Sequence, residues 1–172
     1  MSISFNIGGF YPINKDRFWN EVFFTEQYTK DLFLVGLNFH DVRVQSFDEM
    51  SDGRITRVLQ VTPKLTLPAP VKRLVNDGLI YQEVGKFNPD VGAFESTLSV
   101  PSSPKLLTIK SRMHFTDGQN NGCNRHVSFT LTSSVFGVAK IVEKTAKHIL
   151  TQQYSTAEKY TQKWIRDAGL AD

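Results

Sequence analysis

His114, Asp117 and His126 are the residues of this chain best suited to moving protons, because an imidazole exchanges one near neutral pH and a carboxylate can orient it. Their visible association is closeness to a strand turn, so surface or structural histidine is the competing reading. Cys123 stands three residues before His126, which invites a thiolate and its base. On an extended strand, however, positions three apart face opposite ways. Four histidines and one cysteine show no metal-ligand spacing, and no metal is expected. Gly8-Gly9 is too short for a phosphate loop, a turn or bulge explains it better, and neither a dinucleotide fingerprint nor a Walker motif occurs, so no cofactor is expected. Lys72-Arg73, Lys105 and Lys110 could meet phosphates, but they sit in a mixed-charge chain without a basic-aromatic module, so no nucleic-acid partner is expected.

The elements that would hold such residues follow from pattern. Residues Ile3 to Ile7 alternate as a strand, interrupted by Gly8-Gly9 and Pro12. Asn14 then caps a helix over Lys15 to Phe24, and Thr25 caps a second that stops near Gly36. Phe39–Phe47 and Arg54–Val61 form a hairpin through Asp52-Gly53, with Val42, Val44, Ile55, Val58 and Val61 available to a packed face. Between Pro63 and Asn76, Pro70 to Val75 suggests a short helix after a proline start. Leu79–Phe87, Ala93–Val100, Lys105–Phe115 and Cys123–Val135 supply four more strands, giving seven whose turn signals favour a curved antiparallel sheet. A helix from about Val138 to Ala168 closes the chain, with Val142, Ala146, Ile149, Ala157, Tyr160, Trp164 and Ala168 on one face and Gln153 among them. Lys140, Glu143, Lys144, Lys147 and Glu158 are assigned to its solvent side. So long a helix must cross the sheet or project from it, which suggests a wrapped sheet with a hollow.

With 172 residues, 40% of them hydrophobic, thirteen Phe and a net charge of +3, the chain can bury one core, and one domain over residues 1–172 is expected. A lone cysteine and an N-terminus without signal-peptide features fit a cytoplasmic protein.

The order of strand, two short helices, six strands and long terminal helix resembles the START/Bet v 1-like superfamily, also described as polyketide-cyclase or lipid-transport-like. Locally, Trp19 to Tyr28 (WNEVFFTEQY) is similar to the opening helical region of these domains, and Val135 to Lys144 (VFGVAKIVEK) resembles the strand-to-helix junction of the DUF2505 branch. The resemblance implies an α+β helix-grip fold, a curved seven-stranded antiparallel sheet around a long C-terminal helix, enclosing an apolar pocket that many relatives use for lipids, sterols or other hydrophobic molecules. It also implies that relatives exist which catalyse cyclisation or act as co-chaperones.

A hydrophobic ligand needs apolar walls and a few polar groups to orient its head. Val142, Ile149 and Tyr160 from the helix and Phe94, Met113 and Phe129 from strands are the candidate ligand contacts, although core packing alone also accounts for them. Gln153 joins them because a buried amide needs a partner. The expected activity is noncatalytic binding, and with ligand exchange transport, of a small hydrophobic molecule or single lipid. Residues Pro63 to Leu79 would cover the pocket as a lid or fixed edge, and Lys72 and Arg73 would make peripheral membrane contact. Two alternatives stand: a cyclase-like enzyme using Tyr81, Arg112, His114 and Asp117, or a protein-interaction domain with a collapsed cavity.

Overall fold

The computed structural model describes residues 2–75 and 78–172, so Asn76, the expected end of the proline-rich segment, lies outside the described residues. Strands β1 (Ser2–Tyr11), β2 (Asp41–Glu49), β3 (Ile55–Thr62), β4 (Tyr81–Asn88), β5 (Ala93–Ser99), β6 (Thr108–Asp117) and β7 (Cys123–Thr132) form one antiparallel sheet. Its order is β1-β7-β6-β5-β4-β3-β2. Short helices α1 (Lys15–Arg17) and α2 (Glu26–Asp31) follow β1, α3 (Ala69–Lys72) follows β3, and α4 (Ala139–Asp167) ends the chain. This is the α+β helix-grip fold, with α4 packed on β1 and β7 and reaching the turn after α2.

Local chemistry explains the helix starts. Asn14 accepts from the Asp16 amide at the head of α1, and Thr25 accepts from the Tyr28 amide at the head of α2. Both helices then widen into turns with i to i+5 hydrogen bonds, over Phe18–Phe23 and Leu32–Gly36. Such widened turns recur at functional sites. α4 docks through Trp164, whose indole N–H donates to Asp31 at 3.0 Å, and through the Tyr28 and Thr161 hydroxyls 2.6 Å apart.

Several details depart from expectation. β1 runs straight through Gly8-Gly9, because Gly9 pairs with Arg125 and a Cβ there would meet the Arg125 guanidinium at 2.6 Å. On β3 the buried row is Ile55, Arg57, Leu59 and Val61, and Val58 takes the other face, as strand alternation requires. Val42 is buried but Val44 is exposed where the β2 register shifts. On α4, Glu143 is fully buried instead of solvent-facing: one carboxylate oxygen accepts from the Ser133 amide at 2.9 Å and anchors the helix to the end of β7. Glu158 also turns inward far enough to accept from the Phe10 amide at 2.9 Å.

Candidate functional site: two chambers beneath the terminal helix

The hollow is made by small residues. Across the inner face, sheet register sets Arg57 beside Gly85, Gly85 beside Ser96, Ser96 beside Ser111, and Ser111 beside Phe129. The two serines, their hydroxyls 2.8 Å apart, line a trough that α4 spans without filling, while the Phe94 ring takes the space beside Gly85. Chamber 1, of about 140 Å³, lies over this trough. Chamber 2, of about 100 Å³, lies toward the lid. Tyr81, Leu98, Ile109, Leu150 and Gln153 line both and form the partition between them.

The chambers differ in chemistry. Chamber 2 is walled by Leu65, Leu67, Val71, Val100, Leu106 and Ile149 with little polar lining, and residues from Pro63 to Val75, with Leu79, cover it. Chamber 1 adds Arg57, Glu83, Arg125, Tyr11, Tyr28 and Tyr154 to its apolar walls. Its end near α1 is closed by aromatic rings, including Phe18 stacked on Tyr11 at 4.8 Å and Phe23 edge-on to Phe94 at 5.0 Å. The widened turns supply Phe18, Phe23, Leu32 and Phe33 to this wall.

Both arginines are deeply buried, Arg57 at 6% exposure and Arg125 at 2%. Arg57 donates through Nη1 to the Phe23 carbonyl at 3.2 Å and Thr29 Oγ1 at 3.5 Å, and its guanidinium lies 4.6 Å from the centre of the Phe23 ring. Its Nη2 is 3.7 Å from Glu83, outside hydrogen-bonding distance. Arg125 donates through Nη1 to the Tyr11 hydroxyl at 2.5 Å and through Nη2 to the Gly8 carbonyl at 2.9 Å, with Glu158 at 3.9 Å. The Nε of each arginine has no protein acceptor.

Electrostatics follow burial. Desolvation raises the Glu83 carboxyl above the ordinary carboxylate range, outweighing the opposing pull of Arg57. Burial likewise lowers Arg57, against the opposing pull of Glu83, and raises the phenols of Tyr28, Tyr81 and Tyr154. These phenols therefore stay neutral hydrogen-bond partners at physiological pH.

The sequence-derived candidates divide. Phe94, Met113 and Phe129 line chamber 1, Val142 and Ile149 line chamber 2, and Gln153 stands at the partition. Tyr160 lies outside both: its ring packs where a Cβ on Gly36 would come within 2.7 Å. Of the four residues proposed for a cyclase-like site, Tyr81 alone reaches a chamber. Arg112 pairs with Glu95 at 3.3 Å, His114 stacks on His126 at 5.0 Å, and Asp117 pairs with Lys15 at 3.0 Å, all away from the hollow. Cys123 points inward, fully buried, while His126 meets Thr116 at 2.9 Å outside, so they form no nucleophile-base pair. Sequence reasoning missed Arg57, Glu83 and Arg125, although each breaks an apolar row at strand spacing: Arg57 between Ile55 and Leu59, Arg125 between Cys123 and Val127, and Glu83 two residues past Tyr81. Among the described residues no group of three or more His, Cys, Asp or Glu is placed to hold a metal ion.

Comparison with known proteins places this architecture. The profile of a family described as "Protein of unknown function (DUF2505)" matches residues 11–165. The chain belongs to the DUF2505 family. This DUF2505 chain is similar in structure to the Zhui aromatase/cyclase from a Streptomyces species, at TM-score 0.67 and 4% identity over 96% of this chain and 94% of that one. A protein from Thermus thermophilus superposes at TM-score 0.63 with 10% identity, covering 96% of this chain and 99% of its own. A START superfamily protein from Mycobacterium smegmatis gives TM-score 0.57 with 9% identity, covering 95% and 98%. No curated protein matches the sequence. Identities this low establish the shared fold and leave chemistry to the residues themselves. Among the described residues no helix is long and apolar enough to cross a membrane.

Proposed function

We propose that this DUF2505 protein binds one small hydrophobic molecule, without transforming it, in the paired chambers beneath α4. The observation that carries the reading is the hollow itself: about 140 Å³ stays open in chamber 1 over the inward-facing Ser96 and Ser111. Close-packed interiors leave few voids larger than a water, so a trough built by small residues under a 29-residue helix is unlike ordinary core. Apolar walls would shield the body of the ligand, and the partition formed by Tyr81 and Gln153 would let a longer molecule reach chamber 2 when those side chains turn. Noncatalytic binding is favoured because His114, Asp117 and His126, the groups the sequence marks for proton transfer, lie outside the hollow. Lys72 and Arg73 are exposed beside the lid of chamber 2, a placement that suits peripheral contact with an anionic membrane during exchange.

Native mass spectrometry of the purified protein tests this reading. Denaturing release and solvent extraction would follow, with blank and unrelated-protein controls, and binding titrations with a panel of hydrophobic molecules would complete it. A reproducible one-to-one hydrophobic adduct, or saturable binding from the panel, is the expected result. No adduct together with no binding across the panel would return the protein to a packed scaffold or an interaction domain. A bound compound consumed and released in altered form would replace binding with catalysis.

A further inference from the structure

Chamber 1 brings two cations into the protein interior with more donors than acceptors. A guanidinium carries five N–H groups. Arg57 finds acceptors within hydrogen-bonding distance only through Nη1, and Arg125 only through one bond from each Nη. Both Nε atoms lack a protein acceptor, and the nearest carboxylates stand off at 3.7 and 3.9 Å. Burying a cation with unmet donors is costly, and charge-assisted bonds to an oxyanion are the strongest remedy available.

Resting on the cavity reading above, we propose that chamber 1 selects an apolar monocarboxylic acid, its carboxylate received by the buried guanidinium of Arg57, whose Nη2 has no acceptor within hydrogen-bonding distance, and its hydrocarbon lying against Phe94, Phe129 and Leu150. A single negative charge suits the site better than a double one, because Glu83 and Glu158 already offset part of the arginine charge. Size restricts the ligand as well. A dry cavity of roughly 150 Å³ accommodates one benzene ring, so a single ring or a short chain fills chamber 1 and any longer tail must pass Gln153 into chamber 2.

The arrangement has local support that an accidental burial would lack. Gly9 leaves the space that the Arg125 guanidinium occupies, and Tyr11 fixes its Nη1. The Phe23 and Phe94 rings lie 4.6 and 5.4 Å from Arg57 Cζ. Rigidly held donors bind an anion with little further loss of side-chain entropy.

Matched pairs of short acids and alcohols test the proposal: hexanoic, octanoic, decanoic and phenylpropionic acid, each against the alcohol of the same skeleton, by titration calorimetry at neutral pH. The expected result is binding of at least one acid about ten-fold or more tighter than its alcohol. Arg57→Met should abolish that preference while alcohol binding persists, which also certifies that the variant retains its cavity. Alcohols binding as tightly as acids, or an acid preference that survives Arg57→Met, would overturn the carboxylate assignment and leave the apolar cavity standing. Failure of every acid and every alcohol to bind would overturn the carboxylate proposal together with the cavity reading for ligands of this size.

Discussion

The ring of Phe94 occupies the space that a side chain at Gly85 would need: a Cβ built on Gly85 stands 1.9 Å from Phe94 Cζ. The two residues are not direct register partners, since Gly85 faces Ser96 and Phe94 faces Phe87. Glycine thus lets an aromatic ring lean across the sheet toward Arg57, whose guanidinium carbon lies 5.4 Å from that ring. Gly85→Ala is expected to displace Phe94 and to lower stability by about 1–3 kcal/mol, the usual range for overpacking. Urea denaturation measures it, and an unchanged midpoint would show that Phe94 can swing aside without loss.

That relationship shows why the fold was more legible than the site. Strand and helix order follows from periodicity and punctuation, and Asn14 and Thr25 cap helices as their side chains suggest. The hollow depends instead on which small residues share an inward row. Ser96 and Ser111 lie on two different strands, so their alignment exists only once register is set. Large apolar residues stand out in the sequence because they signal core, and Phe94, Met113 and Phe129 do line the chamber. Arg57 and Arg125 escape notice there because a charged residue in a strand ordinarily marks the solvent face. Tyr160 shares the spacing of the buried stripe, yet the helix carries it past the chamber to the Gly36 turn.

Glu83 gives stability a pH dependence with a definite sign. A carboxyl whose pKa is raised in the folded state contributes stability fully present below its unfolded pKa of about 4.3, and lost as pH rises through the folded value. The difference in stability between wild type and Glu83→Gln should therefore move against the wild type as pH rises from acid to neutral. Paired urea titrations across that range read the slope directly. A flat difference would mean that Arg57 cancels the desolvation of Glu83.

Cys123 is expected to be chemically silent in the native state. It is fully buried, and burial pushes its thiol up to about 12. The thiolate is the reactive form, so iodoacetamide at about pH 8 should modify native protein far more slowly than protein unfolded in urea. Equal rates would show that the end of β7 where Cys123 sits opens readily.

Glu143 ties the start of α4 to the end of β7 through its bond to the Ser133 amide. Glu143→Ala would leave that buried amide without its acceptor, at an expected loss of about 1–3 kcal/mol. Glu143→Gln keeps a carbonyl oxygen for the same bond and should recover most of the loss. Glu143→Met fills similar space without a strong acceptor, so a urea midpoint near that of Glu143→Ala assigns the loss to the bond, and one near that of Glu143→Gln assigns it to packing.

Filling the hollow separates ligand binding from a purely structural role for the sheet and helix. Ala157 lines chamber 1 from α4, a position where leucine is well tolerated by helix geometry. Ala157→Leu would set an isobutyl group into the space proposed for the ligand. Added hydrophobic contact in a pre-existing void commonly raises stability by about 0.5–2 kcal/mol, whereas the same atoms would exclude a bound molecule. The expected outcome is an equal or higher urea midpoint combined with loss of the hydrophobic adduct and of titratable binding. If the hollow were a packing defect without function, the midpoint would rise with nothing to lose, since the wild type would bind nothing. A variant that keeps full affinity would place the ligand elsewhere, and chamber 2, whose lining does not include Ala157, would become the next position to fill through Ala146→Leu.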